Sequence, residues 1–257
     1  MVRTCEHAVR IGLRAIVFTE HLDFADAWRV EEGDIGTHAQ KHVDDDGFVR
    51  LPVFDADGYL DAIDRSRSDF PDLRILTGVE FGQPHRNDPR AAELLASGAI
   101  DCINGSLHML PQDDGTLTEP TTLYRHLPPD EVMRQYLAEL PRMIAGSDTF
   151  EVLCHIDYAM RSWPTSVVGP CDPRDYEEGF RDAMRALAGS GRVLEMNTRR
   201  LWPWIPQWWA EEGGRAVSFG SDTHSPDALA SGFPEAMAML ESFGFAPGPR
   251  PEDFWTR

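Results

Sequence analysis

Four histidines, a glutamate and an aspartate in this sequence occupy equivalent places, each at or just beyond the end of a short apolar run. His21 follows residues 15–19, Glu80 lies near the end of 73–81, and His108 follows 100–106. His155 closes 150–155, and Asp222 and His224 follow 216–220. Glu195 and Asn197 lie inside one further run, 193–197. One histidine or carboxylate at such a place is ordinarily a structural residue with a hydrogen-bond partner. Six together form a constellation. Imidazole nitrogen mixed with carboxylate oxygen suits Zn, Mn or Fe, and the lack of cysteine in the set argues against a closed structural zinc site. A multinuclear catalytic centre is expected, because a carboxylate such as Glu80 can bridge two cations. Ions about 3.5–4 Å apart can activate water and neutralise the oxygens of a phosphate ester. The chemistry implied is hydrolysis.

The six apolar runs read as strands. AIVF, LRIL and RVLEM are nearly continuous in apolar character, as in strands buried on both faces. Between them lie helical patterns with proline start signals: Asp88-Pro89 before 91–96, Pro128-Pro129 before 131–144, and Asp172-Pro173 before 176–187. Alternating strand and helix predicts a parallel sheet, in a barrel or a doubly wound fold, whose strand ends all face one side. With no internal repeat and no long linker, residues 1–257 are expected to form one domain, a common size for a β/α barrel. Residues 26–57 are acidic, glycine-rich and poorly periodic, and read as an elaborated loop. His38 and His42 in that loop have helical i, i+4 spacing, but the weak helical pattern favours a solvated loop over a metal pair. The aromatic run from Leu201 to Trp209 is expected to pack a helix onto the barrel or cover one mouth.

Forty-three acidic residues against 24 basic ones give a net charge of −19, which repels nucleic-acid backbone. Cys5, Cys102, Cys154 and Cys171 lack CxxC spacing and read as reduced thiols. No run of about 18 apolar residues and no signal-peptide core are present, so a cytoplasmic protein without a membrane segment is expected.

The pieces Thr19-Glu20-His21, Gly78-Val79-Glu80, Ser106-Leu107-His108, Cys154-His155-Ile156-Asp157 and Ser221-Asp222-Thr223-His224 carry a resemblance. In order and spacing they resemble the polymerase-and-histidinol-phosphatase (PHP) superfamily, over most of the chain, and look most like its monofunctional histidinol-phosphate phosphatases. The resemblance implies a distorted seven-stranded β/α barrel with up to three divalent metals, commonly Zn, Mn or Fe. It implies that Glu80 bridges two metals, that His108 and His155 complete one site, that Asp222 serves the second metal, and that His21 and His224 serve the third. Glu80, Asp222 and His224 are thereby assigned to catalysis. Arg161 and Arg199 resemble the family's phosphate-contacting arginines, and their planar forks suit phosphate oxygens. One feature departs from the family: an HxH pair ending the first strand has no counterpart here. Residues 1–13 already read as the helix that follows that strand, and His7, mid-helix and expected to be exposed, has no partner two residues away. The barrel is therefore expected to lack its first strand. Either an HxH strand is encoded upstream of Met1, or this form is metal-poor and weakly active.

The expected reaction is hydrolysis of L-histidinol phosphate to L-histidinol and phosphate, in histidine biosynthesis, with a small-molecule phosphate ester as partner. Two alternatives stand beside it. One is a PHP-type phosphoesterase for nucleotides or sugar phosphates, since the constellation reads phosphate and not the leaving group. The other is a non-catalytic metal-binding barrel left by loss of the first motif.

Overall fold

The computed structural model describes residues 1–24, 26–35, 40–96 and 99–257. Among these, ten strands form: β1 (Ala15–Leu22), β2 (Trp28–Arg29), β3 (Arg74–Gly82), β4 (Cys102–Ser106), β5 (Leu110–Pro111), β6 (Leu117–Thr118), β7 (Val152–Leu153), β8 (Val193–Asn197), β9 (Ala216–Gly220) and β10 (Trp255–Thr256). The six apolar runs supply β1, β3, β4, β7, β8 and β9, which pair in that order, all parallel. β10 adds an antiparallel seventh strand beside β9, and the sheet curls into a half-barrel with β1 and β10 at its edges. A Trp-Thr pair is too short to show a period, so β10 leaves no trace in the sequence pattern.

The core explains why the strand ends are held firmly. The helices Pro129–Ala145 and Glu177–Gly189 bury Met133, Tyr136, Leu140, Phe180, Met184 and Leu187 in one cluster with Leu153, Leu194 and Val217 of the sheet. Each such side chain, fully withdrawn from water, contributes about 1.5–3 kcal/mol. The aromatic run packs a helix, Trp204–Glu211, with Trp204 and Trp208 against Phe180 at centroid distances of 4.6 and 6.4 Å. At the other end, the helix Val2–Arg10 buries Cys5 and Ala8 with Tyr59, Ile63 and Ile75.

Three details differ from the expectations above. The helix expected to start at Asp88-Pro89 runs Pro84–Ala96: Pro84 takes the first turn, where a missing N–H costs nothing, and Pro89 is carried inside. His7 is not exposed; its side chain keeps 15% of its accessibility, with Nδ1 2.7 Å from the Arg10 guanidinium and 4.0 Å from Asp227. Part of 26–57 is built structure. β2 pairs with β6, and β6 with β5, in a second small sheet over a cluster of Trp28, Val30, Val49 and Met109. Two-residue strands whose partners lie far along the chain carry no local signal. The four cysteines are free thiols, and among the described residues no helix is long and apolar enough to cross a membrane.

Candidate metal centre

Parallel register puts the donors side by side. His21 of β1 faces Glu80 of β3, and Glu80 faces Asn104 of β4. His108, His155, Asp222 and His224 follow β4, β7 and β9 by a few residues on the same side of the sheet, where open α/β folds bind ligands. Among the described residues, three of the four non-glycine ones with positive φ lie at these exits: Gln83 at 47°, His155 at 23° and Asp222 at 47°. Such backbone costs about 1–3 kcal/mol and persists only where the surroundings enforce it. At His155 the enforcing contact is visible, since its N–H donates to the buried Glu195 carboxylate at 2.9 Å. The Gln83 amide oxygen, turned to accept, takes the N–H groups of His108 and Met109 at 2.7 and 2.8 Å.

The carboxylate of Glu80 is the centre. Its Oε1 accepts from His155 Nε2 at 2.8 Å and His108 Nε2 at 3.0 Å, while His21 Nε2 lies 3.8 Å from Oε2. His21, Glu80 and His108 offer ligand atoms all within 4.8 Å of one another. Tetrahedral coordination with bonds of about 2.0–2.1 Å sets neighbouring donors about 3.3 Å apart, within the spread seen here. His224 stacks on His21 at 5.7 Å between centroids. The buried His155 Nδ1 has no hydrogen-bond partner among the described residues. The donor chemistry and spacing therefore fit a divalent metal centre.

Electrostatics is set by mutual pairing. Burial is the largest single influence on Glu80 and disfavours its charge, but the imidazoles of His108 and His155 outweigh it and hold the carboxyl well below the usual range. Burial likewise opposes charge on His108, and Asp23 with Glu80 outweigh it and push the imidazole well above its usual value. The hydrogen bond to Asp23 raises His21 against burial. These protons compete with a cation for the same nitrogens.

Asp23 was not anticipated from the sequence. Its Oδ2 accepts from His21 Nδ1 at 3.1 Å and its Oδ1 lies 3.5 Å from His108 Nδ1. Burial acts to raise its carboxyl, yet the two imidazoles bring it down to about 2. Its position two residues after His21 was the available signal, because outer carboxylates commonly orient ligand histidines. Gly82 leaves room for it: a Cβ there would sit 1.9 Å from Asp23 Oδ1. Gly82→Ala is expected to displace Asp23 and weaken metal affinity about ten- to a hundredfold, the size of losing such an outer partner. Chelator-competition titration checks it, and unchanged affinity would remove Asp23 from the centre.

Arg161 and Arg199 both turn to Asp222, with NH1 atoms 2.6 and 3.8 Å from its Oδ2. Arg161 is mostly buried, lies over the Tyr158 ring at 5.4 Å, and keeps Nε and NH2 without a partner among the described residues. Tyr158, also unanticipated, packs on His108 and His155 at 4.9 and 5.1 Å. His42 is not one of the clustered donors, and His38 lies outside the described residues.

Residues 1–199 match the PHP domain. The chain belongs to the PHP domain family. Among its curated relatives, a probable histidinol-phosphatase from Clostridium acetobutylicum is 27% identical over 84% of this chain and 86% of that protein. The histidinol-phosphatase of Lactococcus lactis is 24% identical over 93% of this chain and 83% of its own length. Among solved structures, the Lactococcus lactis histidinol phosphate phosphatase, crystallised with Zn, L-histidinol and phosphate, superposes with a TM-score of 0.72 at 20% identity. That superposition covers 95% of this chain and 87% of the other, and it shows the same PHP-type α/β fold.

Proposed function

We propose that this chain is a metal-dependent phosphomonoester hydrolase that converts L-histidinol phosphate and water to L-histidinol and phosphate, with residues 1–257 acting as one catalytic unit. The observation that carries the reading is the division of Glu80's two oxygens, one toward His108 and His155 and the other toward His21, beside two arginines at the mouth of a parallel sheet. Curated relatives bearing the histidinol-phosphatase name support the substrate.

His21, Glu80, His108, His155, Asp222 and His224 would hold the cations, up to three of Zn, Mn or Fe. Divalent cations supply Lewis acidity, lowering the pKa of water and offsetting phosphate charge. The chain's own residues do the rest. Arg161, with two unspent nitrogens, and Arg199 bind the equatorial phosphate oxygens and fix the ester for in-line displacement. The Tyr158 ring beneath Arg161 restricts where that guanidinium can go. Cys154, next to His155, is no nucleophile: burial holds its thiol protonated.

Phosphate release by the purified, Zn- or Mn-loaded chain tests the reading. L-Histidinol phosphate is expected to exceed glycerol phosphate and nucleoside monophosphates at least about tenfold in kcat/KM, the order that one lost charged contact represents. A chelator should abolish turnover and added metal restore it. Preference for a nucleotide would transfer the chain to another phosphoesterase substrate, and metal binding without turnover would make it a non-catalytic barrel.

A further inference from the structure

Several carboxylates around the centre are paired with cations. Glu80 has His108 and His155, Asp23 has His21, Asp222 has Arg161, and Asp34 has Arg125. Among the described residues three carboxylates here form no ion pair: the buried Glu195 and Asp157, whose neutral donors are the His155 N–H, the Asn197 amide and the Trp202 indole, and Glu119, which is only half-buried and so can be reached by a ligand. Glu119 follows β6, at the start of the short helix Pro120–Leu123, and among the described residues no Lys, Arg or His forms an ion pair with it. Among the described residues its one side-chain hydrogen bond comes from the Tyr158 hydroxyl, at 3.3 Å. Burial pushes its carboxyl up to about 7 against the opposing positive charge of His108 and the Tyr158 hydrogen bond, and the negative charges of Asp23 and Asp34 add to the rise. A half-buried carboxylate with a single neutral donor is partly stripped of water, and a cation arriving beside it offsets that cost.

Its place in the fold says which cation. Tyr158 forms one wall of the metal centre, with its ring against His108 and His155 and Arg161 over its face. Its hydroxyl end reaches Glu119, so the carboxylate stands one tyrosine side chain away from the ligand histidines. The site thus has two poles. The arginines attract a phosphate, and Glu119, with Asp34 nearby, attracts positive charge and repels phosphate. The support is firm, because Thr122 Oγ1 donates to Asp34 at 2.8 Å and Arg125 pairs with the same carboxylate, tying the segment after Glu119 to the loop after β2.

We propose that Glu119 is a specificity residue that binds the positively charged group, ammonium or imidazolium, on the alcohol half of the phosphate ester. This rests on the phosphatase reading and deepens it: Glu119 selects cationic esters and orients them with phosphate toward Arg161.

The metal-loaded wild-type enzyme and Glu119→Gln are compared on four esters: L-histidinol phosphate, phosphoethanolamine, glycerol phosphate and p-nitrophenyl phosphate. The expected result is a fall of about ten- to a hundredfold in kcat/KM for the two cationic esters, chiefly through KM, with the neutral two within about twofold of wild type. Retained nitrophenyl turnover shows that the variant is folded and metal-loaded. If all three alkyl esters fall together and the nitrophenyl ester does not, Glu119 is a proton donor to the leaving alkoxide and the proposal is wrong. No change, no wild-type preference for phosphoethanolamine over glycerol phosphate, or equal loss on all four esters in both Glu119→Gln and Glu119→Ala would also overturn it. Should the wild type ignore L-histidinol phosphate while still preferring phosphoethanolamine through Glu119, the substrate reading fails and the Glu119 assignment stands.

Discussion

Glu80→Gln is expected to lower kcat for phosphate release by about a thousandfold, the upper end of what removal of one charge-stabilising group costs. The substitution keeps the shape of the side chain and removes the charge. Among the described residues Glu80 is the group that meets three histidines, accepting from His108 and His155 on one oxygen and facing His21 with the other. An amide offers one acceptor and places two donors against imidazole nitrogens, so cation binding should fail together with turnover. Metal content after gel filtration and single-turnover phosphate release measure the two losses separately. Full metal content with an unchanged rate would place the catalytic centre elsewhere. Glu80→Asp, which keeps the charge but shortens the reach, should recover part of the metal and less of the rate.

The second large effect is expected at the arginines, and it should be unequal. Arg161→Ala should cost about a hundredfold in kcat/KM and Arg199→Ala about tenfold, since a charge-assisted contact to a dianion is worth more where water is excluded. The Arg161 side chain keeps 15% of its accessibility and that of Arg199 keeps 60%. Arg161 also lies nearer to Asp222 and over Tyr158, so its truncation leaves a buried carboxylate without its close partner. Steady-state kinetics on L-histidinol phosphate decide the matter. Equal small losses would mean that both side chains serve only to neutralise Asp222, and an Arg199 effect larger than that of Arg161 would reverse the order drawn from burial.

Most of what positions this centre was legible in the chain, because it is local. A run such as Val193–Asn197, buried at every residue, announces a parallel strand within five residues. A donor at the end of such a run is then placed by the parallel topology, and this is how His21, Glu80, His108, His155, Asp222 and His224 could be singled out together. Helix bodies were legible for the same reason, and their starts less so, as Pro84 and Pro89 show. Asp23, Tyr158 and Glu119 carried no comparable mark. Each acquires its role from a side chain distant in sequence: Asp23 from His108, Tyr158 from His108, Glu119 from Tyr158. The pairing of β2 with β6 is equally non-local. Residue order along the chain therefore determined which groups are delivered to the mouth of the sheet, through strand period and parallel connection. Only the tertiary structure decided which of them pair and which carboxylates keep no cation of their own, because those outcomes depend on side-chain distances of a few ångströms and on exclusion from water.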